Sequence, residues 1–236
     1  MQTLAPTEGE TAEFLAWLNG WYQTLPDVPL TDLVTDPART AILTADLIVG
    51  FCHEGTLASE RVGSIVPANV SLIERARALG VKRVVLLQDT HDQDAPEFQA
   101  WPPHCVRGTR ESETVRELSS LSYSNEFDVV EKNALSAGVA TRLPAWLEDN
   151  EDVTTYLVGG DCTDLCVYQL AMHIRMWADA TNRHGRQVIV PASAVQTFDL
   201  PVAAAGEGMP HPGDLMHRLF LYHMSLNGIR IVGDVV

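Results

Sequence analysis

A chain of 236 residues, 46% hydrophobic and with a mean hydropathy near zero, can bury one substantial core. Its 16 Lys and Arg face 31 Asp and Glu, and a net charge of -15 repels phosphate backbones, which excludes nucleic acid as an expected partner. No apolar run approaches the roughly 20 residues that cross a bilayer, and the acidic start MQTLAPTEGETAEF lacks the basic and apolar regions of a secretory signal, so no membrane partner and a cytoplasmic location are expected.

Residues 1–38 differ in character from the rest and read as an N-terminal helical extension to a main domain at 39–236. Between Thr11 and Leu25, Phe14, Leu15, Leu18, Trp21, Tyr22 and Leu25 recur at helical spacing, with Thr11 as the cap. Phe14, Leu18 and Trp21 are expected to pack on the domain's flank or on a neighbour. The connector PDVPLTDLVTDPART follows. Six apolar strand-like runs come next, at Thr40–Ala45, Val81–Leu87, Phe127–Val130, Tyr156–Val158, Val188–Val190 and Ile229–Val232. Helical patterns at Pro67–Leu79, Arg142–Glu148, Asp164–Asn182 and Asp214–Asn227 lie between most of them. Strands alternating with helices imply an α/β fold, a six-stranded parallel sheet covered on both faces. Val202–Pro212 is a Gly/Pro-rich loop. Cys52, Cys105, Cys162 and Cys166 are too few for a disulfide scaffold and are expected to be thiols.

Ligands of such sheets bind beyond the carboxyl ends of the strands. Asp46, Asp89 with His91, Lys132 and Cys166 follow four successive strands and so share that edge. Cys166 lies at the start of a helix after Gly159-Gly160, with Thr163 or Asp164 as its cap; the free N–H groups there favour a thiolate and can hold an oxyanion. Each residue alone also has a plain structural reading, as a small core cysteine, a turn carboxylate or a surface lysine. Together they form a nucleophile, a base and a cationic stabiliser suited to attack on an amide carbonyl through a thioester. Asp89, His91 and His104, with Glu97 as a weaker fourth member, form a donor set for a divalent metal: zinc first, iron or manganese next. Trp101-Pro102-Pro103 fixes the approach of His104 and places an aromatic wall beside it.

These residues carry a resemblance. The chain resembles the nicotinamidases and pyrazinamidases of the isochorismatase-like cysteine hydrolase superfamily through Asp46…Phe51-Cys52, Asp89-x-His91, Trp101-Pro102-Pro103-His104-Cys105-Val106-x-Gly108-Thr109, Lys132 and Thr163-Asp164-x-Cys166-Val167. The resemblance implies a Rossmann-like three-layer α/β/α fold for the hydrolase domain and metal-dependent hydrolysis of nicotinamide to nicotinate and ammonia in NAD salvage. It implies Cys166 as nucleophile, Asp46 as base and Lys132 as third catalytic residue. Asp89, His91, His104 and Glu97 correspond to the metal ligands. Phe51 and Trp101 correspond to the residues that sandwich the ring. The backbone N–H groups of Cys162 and Cys166 correspond to the oxyanion hole, with a cis peptide between Asp161 and Cys162. The partners expected are a small amide and further copies of the same chain. Two departures stand out: Leu47-Ile48-Val49-Gly50 is apolar where the family is polar, and Asp161-Cys162 replaces an apolar-Ala pair. The other readings are a sister cysteine hydrolase acting on another small amide or ring compound, and a non-catalytic metal-binding module of the same fold.

Overall fold

Hydrophobic runs bounded by turn residues become strands when both faces of a sheet can be covered. The computed structural model describes residues 7–206 and 208–236; the first six residues of the expected extension and position 207 of the Gly/Pro-rich loop lie outside the described residues. The chain forms α1 (Glu8–Gln23), a single turn α2 (Leu30–Leu33) and β1 (Thr40–Ala45). The short α3 (Val49–Cys52) and α4 (Glu60–Gly63) lead into α5 (Val66–Ala78) and β2 (Arg83–Asp89). After α6 (Arg116–Ser119) come β3 (Asp128–Lys132), α7 (Leu143–Asp149), β4 (Thr155–Asp161) and α8 (Cys166–Ala180). The chain then runs through β5 (Gln187–Pro191), β6 (Val195–Gln196), α9 (Gly213–Leu226) and β7 (Arg230–Val232).

The strands form one sheet in the order β3-β2-β1-β4-β5-β7, all parallel. The six expected strands are present, and the sheet has a seventh. After β5 leaves β4, the two residues of β6 pair with Gly160 and Asp161 and extend the sheet edge at the carboxyl end of β4. Two residues are too few to leave a period in the sequence.

Alternation along each strand sorts side chains between two cores. Ile42, Leu86, Leu157 and Ile189 pack toward α5, whereas Leu43, Val85, Leu87, Tyr156 and Val158 pack toward α7, α8 and α9. The result is the three-layer α/β/α arrangement. Fully burying a side chain of this size contributes about 1.5–3 kcal/mol. Gly160 lets β4 approach β1: a Cβ there would lie 1.9 Å from the Ala45 carbonyl oxygen.

The first helix is capped by Thr7, not Thr11. The Thr7 hydroxyl accepts from the Glu10 N–H at 3.2 Å, and the Glu10 carboxylate accepts from the Thr7 N–H at 2.8 Å. This capping box moves the start four residues earlier, since reciprocal satisfaction of two orphan donors outweighs a lone hydroxyl. The helix buries Leu18 and lays Phe14, Trp17 and Trp21 around Tyr222 of α9 at ring separations of 5.2–5.9 Å. The connector after it is packed as well. Val28, Leu30, Leu33 and Val34 are buried, and Val28 pairs in parallel with Val235. The Val28 N–H donates to Asp234 O, and the Val236 N–H donates to Val28 O.

Candidate active site

The sheet order reverses between β1 and β4, and that crevice is where the chemistry-bearing residues gather. Asp46 leaves β1 with φ +56, a conformation that aspartate tolerates. Its Oδ1 accepts from the Asp89 N–H at 2.7 Å, so the first strand exit is tied to the second. Parallel register sets Lys132 of β3 directly beside Asp89 of β2. The Lys132 ammonium donates to Asp89 Oδ1 at 2.5 Å, lies 2.9 Å from Asp46 Oδ2 and reaches Cys166 Sγ at 3.5 Å. All four side chains are buried.

Burial pushes the Asp46 carboxyl up to about 6; the Asp89 charge adds to the rise, and Lys132 opposes it. Burial also acts upward on Asp89, but the Lys132 charge and hydrogen bonds from His91 and Lys132 outweigh it and hold that carboxyl below its usual range. Lys132 is the converse case: burial favours its neutral form, yet two facing carboxylates keep it a firm ammonium. The Cys166 thiol is pushed well up by burial, with Lys132 opposing. At rest the nucleophile candidate is therefore a thiol beside a carboxylate able to take its proton. Cys52 and Cys105 are also buried and pushed up, which suits inert thiols, and all four cysteines are free.

Beside this set, Asp89, His91, Glu97 and His104 bring ligand-capable atoms within 4.8 Å of one another. His91 Nδ1 lies 3.3 Å from Asn133 Oδ1, and His104 Nδ1 lies 2.8 Å from the Pro102 carbonyl oxygen. Each histidine thus uses one ring nitrogen for orientation and leaves Nε2 for a ligand, as metal-binding histidines do. Glu97 Oε2 accepts from the Leu135 N–H at 3.1 Å, while Oε1 faces His91 Nε2 at 3.9 Å. Asp89 Oδ2 and His91 Nε2 are buried without a hydrogen-bond partner among the described residues. Two orphaned donor atoms in one mixed carboxylate and imidazole cluster fit a divalent cation. Phe51 is buried 5.5 Å from the His104 ring. Trp101 is half-buried and meets the edge of Phe198 at 6.1 Å.

Residues 40–208 match the isochorismatase domain. The chain belongs to the isochorismatase family. Within it, the chain is 27% identical over 221 residues to nicotinamidase 1 of Arabidopsis thaliana, covering 84% of this chain and 87% of the relative. The solved structure of a nicotinamidase from Bacillus subtilis is 28% identical with a TM-score of 0.64, covering 82% of this chain and 99% of that one. N-carbamoylsarcosine amidase from Thermoplasma acidophilum is 26% identical with a TM-score of 0.62, covering 83% and 96%. The chain is accordingly an isochorismatase-like hydrolase. Among the described residues no helix is long and apolar enough to cross a membrane.

The turn joining β4 to α8 carries Cys162 and Cys166, and its Asp161–Cys162 peptide is cis. Neither Thr163 nor Asp164 caps α8, which begins at Cys166 after Leu165 without a side-chain cap. Both side chains are taken by histidines from the other end of the isochorismatase-like chain. Thr163 Oγ1 lies 2.8 Å from His217 Nδ1, and Asp164 Oδ2 lies 2.7 Å from His211 Nε2. Asn133, His211 and His217 are the residues that sequence reasoning passed over. No spacing signals them, because each meets its partner across at least 40 residues.

Proposed function

We propose that the protein hydrolyses nicotinamide to nicotinate and ammonia, with Cys166 as nucleophile, Asp46 as base and Lys132 as the cation that aligns them. One observation carries this reading: the Lys132 ammonium touches Asp46, Cys166 and Asp89 together, so the reacting set and the ligand cluster form one site. The similarity to the Arabidopsis and Bacillus nicotinamidases supports it.

In this mechanism Asp46 takes the Cys166 thiol proton as Sγ attacks the carboxamide carbon. The carbonyl oxygen becomes an oxyanion held by the backbone N–H groups of Cys162 and Cys166. Lys132 offsets the charge spread over Asp46 and Asp89. Asp46 returns the proton to nitrogen, the C–N bond breaks, and ammonia leaves a Cys166 thioester. Asp46 then draws a proton from water, which adds to the thioester; nicotinate departs and the thiol is restored. Asp89, His91 and His104, with Glu97 at the rim, would hold a divalent cation, zinc first among zinc, iron and manganese. When bound, the cation supplies a Lewis-acidic anchor for the ring nitrogen. Phe51 and Trp101 would flank the ring.

A second reading, a sister amidase for another small amide, is favoured by the buried apolar stretch Leu47-Ile48-Val49, where the nicotinamidase pattern is polar, and by the similarity to N-carbamoylsarcosine amidase. Ammonia release from nicotinamide, with and without chelator, by wild type and Cys166→Ala decides between them. No turnover by metal-restored wild type removes the nicotinamidase reading. Full activity in Cys166→Ala removes every cysteine-hydrolase reading.

A further inference from the structure

We propose that His217, held by Tyr22 of the N-terminal helix, is a positioning residue for the turn that presents the Cys162 and Cys166 amides. The inference rests on the proposed hydrolase chemistry for its effect on rate, and on geometry alone for its effect on the turn.

An oxyanion hole works only if its N–H donors are fixed before charge develops. The Cys162–Cys166 turn has two backbone bonds of its own, from the Leu165 and Val167 N–H groups to Cys162 O, but no side-chain cap. Its outer anchors come instead from later in the chain. The Thr163 N–H donates to Gln196 O at 3.0 Å, and the fully buried Thr163 hydroxyl meets His217 Nδ1. Asp164 is held by His211, whose ring stacks on Phe198 at 3.8 Å and 14°.

His217 is itself clamped. The Tyr22 hydroxyl lies 3.3 Å from Nε2, and the two rings meet edge to face at 5.6 Å. Burial, aided by the charges of Arg61 and Arg218, pulls the imidazole down to about 4, so it stays neutral and uses one nitrogen as donor and one as acceptor. Tyr22 is fixed in turn by the Arg218 guanidinium 5.3 Å over its ring. The path Tyr22–His217–Thr163 thus joins α1 and α9 to the turn. Tyr22 and His217 both lie outside the family-matched residues 40–208. The flanking segments are part of the site's alignment, not only a cover for the sheet.

The test compares intact wild type with Thr163→Val, Tyr22→Phe, His217→Ala and His217→Asn. Two measurements are made: hydrogen exchange of the 159–167 backbone, and steady-state ammonia release from nicotinamide. Thr163→Val keeps the shape of the side chain and removes the bond; Asn at 217 retains a polar atom near the Nδ1 position. Thr163→Val and His217→Ala are expected to speed exchange in the turn and lower kcat about tenfold or more with KM nearly unchanged; full loss of an oxyanion donor would give roughly 100–1,000-fold. His217→Asn is expected to recover much of kcat, and Tyr22→Phe to show a smaller loss. Unchanged exchange in both Thr163→Val and His217→Ala overturns the proposal whatever the turnover. A wild type that releases no ammonia removes the nicotinamidase reading, and exchange still decides the role of His217. Wild-type kcat in Thr163→Val overturns the link to catalysis.

Discussion

The two ends of the sheet are built from the same strands but treat polar groups in opposite ways. At the amino end, Arg83 reaches Asn150 and Asp152, and Arg39 donates to the Asp152 carbonyl oxygen. These groups are partly exposed and satisfied by each other and by solvent. At the carboxyl end, Asp46, Asp89, Lys132, His91, His104, Asp161 and Thr163 are buried. Among the described residues Asp89 Oδ2, His91 Nε2 and Asp161 Oδ2 have no hydrogen-bond partner, and burial pushes the Asp161 carboxyl well above the usual range. A chain selected for stability alone would not concentrate such groups at one edge. The contrast teaches that the sheet supplies stability through its cores and uses it to support a strained electrostatic arrangement at one end.

Substitutions at the two ends should therefore differ in kind. Cys166→Ala is expected to lower turnover on the order of 10,000-fold or more while leaving the fold intact, checked by ammonia release and circular dichroism. Lys132→Met removes the ammonium and leaves Asp46 and Asp89 facing each other; about 3–5 kcal/mol of stability should be lost, read by urea denaturation at pH 7. His104→Ala should weaken metal retention at least about 100-fold while the protein stays folded, read by elemental analysis after dialysis. Unchanged metal content would remove His104 from the ligand set.

His217 gives a pH-dependent prediction. It is faced by Tyr22 from α1, Thr163 and Asp164 from the turn, Arg61 from α4, and Asp214 and Arg218 from its own helix. Its folded value, about 4, lies below the unfolded value of about 6.5, so the unfolded chain takes up a proton first on acidification. The stabilisation is complete above about pH 6.5 and is lost as pH falls toward 4. By pH 5 the loss should be about 2 kcal/mol, and His217→Asn should lack this part of the acid response. The smallest effect belongs to the amino end: Arg83→Ala should shift stability by less than about 1 kcal/mol and leave turnover unchanged. A large effect there would collapse the contrast.

Much of this was readable from residues. The central strands β1, β2, β4 and β5 announced themselves because both faces are covered, so their apolar runs are continuous; the edge strand β3 instead alternates exposed and buried residues. The carboxyl-edge rule places Asp46, Asp89, Lys132 and Cys166 together, and in the structure the Lys132 ammonium reaches the other three. What stayed hidden was specific pairing at long range. Nothing local tells Asn133 to orient His91, or His217 to hold Thr163. The connector hid its packing in another way: its prolines and aspartates give no sign that Val28, Leu30, Leu33 and Val34 enter the core, where residues from the other end of the chain cover them.

That closure has a consequence for synthesis. Asp27 and Asp234 are 207 residues apart and joined by a hydrogen bond, beside the Val28–Val235 bridge. At about 5–20 residues per second the second strip emerges roughly 10–40 s after the first. During that interval the apolar residues of the connector have no cover, and Thr163 waits for His217. A growing chain can lay down β1 to β4 and place Cys166 early, but the latch over the connector closes only once Asp234 and Val235 have emerged. The four buried residues of the connector are thus among the first made and among the last covered.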